Sequence, residues 1–233
     1  MSGAATTTKT TTAAAIAITG LKYRYPGSTD GWVVDIGSLE LGAGEQMLLT
    51  GGSGRGKSTL LHLISGLMDP VEGEVVIDGH AIHEMHGATR DAYRGTRIGL
   101  VFQTFHLLHG FTALENVMAA MMFSAIPPSE HRERALALLA HLGLDAPHRE
   151  ADRLSIGQQQ RVAVARAVAC DPILVLADEP TASLDPENAA TAVTLIQETC
   201  REKGAALLCV SHDPSLTERF ERRATLDELQ GGA

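Results

Sequence analysis

Eight consecutive residues, Gly51-Gly52-Ser53-Gly54-Arg55-Gly56-Lys57-Ser58, restrict this chain more than any other stretch. Their spacing is G-x-x-x-x-G-K-[ST]. An apolar segment, Gln46-Met47-Leu48-Leu49-Thr50, runs directly into it and reads as a strand, and residues 57–65 read as a helix that stops near Gly66. The glycines let the backbone curl so that successive N–H groups face one anion, and the helix N-terminus adds the positive end of its dipole. The pattern predicts a phosphate cradle. Lys57 reaches the β- and γ-phosphates of a nucleotide, the Ser58 hydroxyl reaches Mg²⁺, and Thr59 completes the candidate set that begins at Gly51.

Such a cradle needs a carboxylate on the metal. The run Ile173-Leu174-Val175-Leu176-Ala177 is continuously apolar, as a strand covered on both faces of a parallel sheet must be, and it ends in Asp178-Glu179. Asp178 is placed to hold the metal, and Glu179 to polarise a water for attack on the γ-phosphate.

The remaining pattern alternates strands with helices. Residues 15–19, 32–36, 74–78, 97–102 and 206–210 read as strands, and 186–203 as a helix. The middle, about 105–165, turns helical. Thr112-Ala113-Leu114-Glu115 has capping-box spacing, Pro127-Pro128 breaks the helix, and 157–170 starts another. This predicts an α/β domain over 15–233 with an inserted helical subdomain, preceded by a disordered Thr/Ala-rich tail at 1–14.

Between the two acidic and glycine-rich elements stands Leu154-Ser155-Ile156-Gly157-Gln158, opening a helix with Ser155 at its N-cap. Here, and over about 18–220, the chain resembles the ATP-binding subunit of an ABC transporter, whose signature LSGGQ appears as LSIGQ. The resemblance implies a RecA-like P-loop core with an N-terminal antiparallel β subdomain and an inserted helical subdomain. It implies that Tyr25 stacks on adenine, with Tyr23 as its rival. It implies that Gln103, in Val-Phe-Gln, senses Mg²⁺ and the membrane partner. It further implies that Asp185, in Ser-Leu-Asp, crosses a dimer interface and that His212, in Val-Ser-His-Asp, contacts the γ-phosphate. Ser155, Gly157 and Gln158 would serve the ATP held by a second copy, so that two chains sandwich two ATP molecules. Catalysis falls to Glu179, His212, Lys57 and Gln103, and Mg²⁺ to Ser58, Gln103 and Asp178. Ile156 departs from the family: a β-branched side chain disfavours positive φ and narrows the approach to phosphate.

Residues 102–108, 112–117 and 176–181 resemble the lipoprotein-releasing, macrolide-exporting and cell-division ATPases. That implies an integral membrane permease as partner, with transport or, alternatively, transmission of motion to an envelope process as the output. A soluble ATPase of DNA repair or translation is disfavoured. Nineteen Lys+Arg against 28 Asp+Glu leave a charge of −9, the wrong sign for nucleic acid. No segment reaches about 18 apolar residues, and no lipidation motif is present, so a cytoplasmic chain held at the membrane by docking is expected. Phe105, Leu107, Leu108 and Phe111 are candidates for that docking surface. Three cysteines are too scattered for a disulfide framework or a zinc site. His80, His83, His86, His106 and His109 read as surface residues with no acidic partner spaced beside them.

Overall fold

The computed structural model describes residues 14–28, 31–52, 54–182, 184 and 186–230. The first half contains β1 (Ala14–Tyr23), β2 (Val34–Gly42), β3 (Gln46–Thr50), α1 (Lys57–Ile64), β4 (Glu72–Ile77), β5 (His80–Ala81), α2 (Ala88–Arg97) and β6 (Ile98–Val101). Then follow α3 (Ala113–Met121), α4 (Pro128–His141), α5 (Ile156–Val168), β7 (Leu174–Asp178), α6 (Pro186–Lys203), β8 (Ala206–Ser211), β9 (Arg222–Thr225) and α7 (Leu226–Gln230). The expected tail at 1–14 lies outside the described residues except for Ala14, which already belongs to β1.

Two sheets carry the fold. The smaller is antiparallel, in the order β2-β1-β4-β5. Its β1 runs to Tyr23, well past the expected end at residue 19. Gly20 takes φ +57°, and the pairing with β4 slips between Thr19 and Lys22. The inward phase accordingly changes from Ile16 and Ile18 to Leu21 and Tyr23. Opposite the bulge, a side chain on Gly73 would meet the Gly20 carbonyl oxygen at 2.2 Å, so only glycine fits.

The larger sheet is parallel, in the order β6-β7-β8-β3-β9. Its side chains divide by alternation. Met47, Leu49, Leu174, Leu176, Leu208 and Val210 pack toward α1 and the antiparallel sheet. Leu48, Val175, Ala177, Leu207 and Cys209 pack toward α3, α4, α5 and α6. The sheet is thus buried on both faces, which explains the unbroken apolar runs of β7 and β8. The fold is α/β with a RecA-like parallel core.

The expected capping box at Thr112 is present, and the expected N-cap Ser155 also forms one. Thr112 accepts from the Glu115 N–H at 3.2 Å while Glu115 accepts from the Thr112 N–H at 2.8 Å, and Ser155 and Gln158 repeat the arrangement at α5. Parallel register brings the carboxyl ends of four strands to one edge. Thr50 pairs with Ser211, Val101 with Ala177, and Asp178 with Val210. The chain leaves those ends at Gly51, Gln103, Glu179 and His212, so residues distant in sequence meet where ligands bind in such sheets.

Candidate nucleotide site

The loop after β3 is built by backbone constraints. Gly56 caps α1 at φ +96°, and a side chain there would strike the Val33 carbonyl oxygen at 2.5 Å. Gly52, Gly54, Arg55 and Ser58 face solvent, so the concave side of the loop is open; Ser53 lies outside the described residues. Lys57 is buried and bends back over the loop. Its Nζ donates to the Gly51 and Gly52 carbonyls at 2.8 and 3.0 Å and stands 3.4 Å from Glu179 Oε1. Thr59 is buried on α1, and its Oγ1 lies 3.0 Å from the Tyr25 hydroxyl. Tyr23 is packed in the core with its ring edge-on to Tyr25, whereas Tyr25 is 49% exposed. Of the two tyrosines, only Tyr25 offers a ring face beside the loop.

The acidic pair divides two environments. Asp178 closes β7. Burial pushes its carboxyl above the ordinary range against a hydrogen bond from the Ser58 hydroxyl, and the charge of Glu179 raises it further. Its Oδ1 is buried with no hydrogen-bond partner among the described residues. A buried orphan acceptor beside a serine hydroxyl is the donor set that a hard divalent cation completes.

Glu179 is held at φ +46°, a left-handed conformation costly for a side-chain-bearing residue. Its N–H still donates to Val210 at 2.9 Å, continuing the ladder while the side chain turns toward β8. Oε2 accepts from the Ser211 hydroxyl at 3.0 Å and from the His212 N–H at 3.1 Å, and Oε1 sits 2.8 Å from His212 Nδ1. Burial raises this carboxyl, but the donors from His212 and Ser211 outweigh it and hold it below the usual range.

Gln103 is exposed in the turn after β6. Beyond it, Phe105 and His106 both take positive φ, +59° and +46°. Phe105 is buried, Leu107 packs against the core, and Leu108 and Phe111 are about half exposed. The expected docking cluster therefore splits. Only Leu108 of these four lines a cavity of about 570 Å³, with Phe102, Ala119, Phe123 and Pro172. At the signature, Ser155 caps α5, and the helix begins at Ile156 rather than Gly157. Ile156 has an ordinary helical φ and is 52% exposed, so its branching meets no backbone conflict. Asp185 lies outside the described residues.

The family model for the ABC transporter matches residues 34–182. The chain belongs to the ABC transporter family. It is 34% identical to MJ0796, a bacterial ABC transporter cassette solved as a dimer, over 90% of this chain and 93% of that one, at a TM-score of 0.79. A dimeric post-hydrolysis state of the same cassette, bound to ADP and Pi, gives 33%, 90%, 93% and 0.77. cbiO1 from Clostridium perfringens, part of the ABC transporter complex cbiONQ, is 25% identical over 91% and 84%, at 0.80. This ABC transporter chain is an ATP-binding ATPase subunit.

Three features of the ABC chain escape its sequence pattern. Ser211 and Arg166 touch the site loops directly. Arg166 carried one signal, a charge at a buried phase of α5. His83 is not a surface histidine. Its ring is largely buried and lies 3.2 Å from Asp69, which Arg90 also holds at 2.7 Å, because the turn after α1 folds back on residues 80–90.

Proposed function

We propose that the chain hydrolyses ATP as one of two copies in an ATP-sandwich dimer, with Mg²⁺ as cofactor. An integral membrane permease would hold it at the inner face of the cell membrane. In this reading the loop amides of 51–59 and the N-terminus of α1 receive the phosphates. Lys57 leaves the Gly51 and Gly52 carbonyls for the β- and γ-phosphates, and Tyr25 stacks on adenine. Ser58, Asp178 and Gln103 hold Mg²⁺, which when bound neutralises phosphate charge. Glu179 takes the proton of the attacking water, and His212 orients the γ-phosphate. The exposed loop face and the exposed cap of α5 each lack a covering element among the described residues. Ser155 and Gly157 of a second copy would supply the cover, and Asp185 would join that interface. Gln158 contributes through the helix end, since its amide is committed to the capping box.

The cavity beside Gln103 carries the permease assignment. It lies between α2–β6 and the helical layer, is lined mainly by apolar side chains, and ends at the loop that carries the metal-sensing glutamine. Phe123, 69% exposed at its rim, is the natural anchor. Phe123→Asp and Leu108→Glu should abolish co-purification with an integral membrane protein from solubilised membranes while the isolated chain keeps its ATPase rate. Retention of that membrane protein by both folded variants would refute the docking site.

A further inference from the structure

Ser211 has no exposed surface, yet it is polar and stands at the end of β8 where Thr50 pairs with it. Its hydroxyl accepts from the Asp213 N–H at 3.1 Å and donates to Glu179 Oε2 at 3.0 Å. A turn residue would need only the first bond. The second uses the single hydroxyl proton on the carboxylate across 32 residues of sequence.

The two oxygens of Glu179 are held by different kinds of group. Oε1 is engaged by Lys57 and by the His212 ring, both side-chain groups that a phosphate would recruit. Oε2 is engaged by the Ser211 hydroxyl and the His212 backbone N–H, both fixed to the end of β8. When phosphate takes Lys57 and the imidazole, Oε1 becomes free while Oε2 stays anchored.

We propose that Ser211 is a positioning residue for ATP hydrolysis: by anchoring Oε2 it fixes the carboxylate plane of Glu179 so that Oε1 faces the attacking water. The proposal rests on Glu179 being the general base. Water gives its proton to Oε1 as its oxygen bonds to the γ-phosphorus and the bond to the β-phosphate oxygen breaks. Ser211 exchanges no proton in the step.

The test compares Ser211→Ala, Ser211→Thr, Glu179→Gln and the Ser211→Ala/Glu179→Gln double variant by steady-state ATPase kinetics, with thermal melts to confirm folding. Ser211→Ala should lower kcat roughly 10-fold with KM for ATP within about twofold, and Ser211→Thr should recover most of the rate. In the Glu179→Gln background, Ser211→Ala should cause no further loss, because the residue acts through the carboxylate. If Ser211→Ala does not fold, Ser211→Cys keeps the volume, weakens the donor and bears the same comparison. Unchanged kcat, an equal loss in the Gln background, or a folded Ser211→Thr as slow as Ser211→Ala would overturn the proposal. Near-normal turnover by Glu179→Gln would instead remove the general base on which it depends, a distinct result.

Discussion

The Arg166 guanidinium donates to the Phe105 carbonyl oxygen at 2.6 Å, joining α5 to the glutamine loop across 61 positions of sequence. The other arm of the fork donates to His106, also at 2.6 Å. Both acceptor residues are left-handed, a conformation that costs on the order of 1–3 kcal/mol each unless neighbours enforce it. The guanidinium serves these two carbonyls from two separate nitrogens held in one rigid plane, whereas a lysine here would have to serve both from a single nitrogen on a flexible stem. Arg166→Lys should therefore destabilise the chain by about 1–3 kcal/mol in a denaturant melt while leaving ATP binding by the isolated chain unchanged. A variant as stable as the parent would show that the loop holds its own shape.

Glu179→Gln keeps the side-chain volume and removes the proposed base. Lys57 and the loop amides remain, so ATP should still bind. Turnover should fall by about 10²–10⁴. With hydrolysis blocked, MgATP should move the protein from monomer to dimer on size exclusion. An ATP-loaded monomer at high concentration would count against the shared site.

Ile156 projects from the first turn of α5 where the family has glycine. In the proposed dimer, burial of its exposed half against a second copy would be worth about 1 kcal/mol. Ile156→Gly should weaken ATP-driven dimerisation roughly 3- to 10-fold, measured by analytical ultracentrifugation in the Glu179→Gln background. ATP affinity of the monomer should not change. A tighter dimer would mean that the branched side chain obstructs the approach.

Asp171, at φ +49° between α5 and β7, receives Lys203 at 2.9 Å and also Arg134, tying α6 and α4 together. Burial raises its carboxyl, but these two donors outweigh it and hold it below the ordinary range. A depressed folded-state value stabilises above the unfolded value and is lost as pH falls through the folded one. Asp171→Asn tolerates the left-handed backbone and removes only the charge. It should cost on the order of 0.5 kcal/mol at neutral pH, a small figure because the pair is half exposed. The gap to the parent should start to narrow as pH falls below about 4, the unfolded carboxylate value, and be gone once pH has passed the depressed folded-state value, in urea melts. A gap that does not narrow as pH falls below about 4 would assign the loss to packing.

What the sequence made legible was whatever local chemistry dictates. The loop at 51–58, the buried strand ending at Asp178, the capping box at Thr112 and the N-cap at Ser155 are each contained within a few residues. α2 leaves no apolar periodic trace in the sequence, because Ala88–Arg97 buries no side chain and shows only polar and small residues around Tyr93. β9 and α7 are too short to leave a periodic trace. The contacts that shape the candidate site are long-range: Glu179 with Ser211, Phe105 with Arg166, Tyr25 with Thr59. No spacing rule contains them, since each depends on which strand ends the sheet aligns. The resemblance favours Tyr25 over Tyr23 for adenine, but a strand's two-residue period alone cannot separate positions that share its phase. The end of β1 does, by burying one and releasing the other.

The three thiols form a depth scale. Cys209, in the middle of the parallel sheet, and Cys200, on α6, have 1% exposure each; burial pushes Cys200 to about 12 and Cys209 higher still. Cys170 is only partly buried, with its Sγ 3.5 Å from the Ala120 carbonyl oxygen, and it lines the cavity beside the glutamine loop. The native chain thus contains its own chemical clock. An alkylating reagent should mark Cys170 at a rate set by whether that cavity is covered, and should reach Cys209 only when the whole sheet opens.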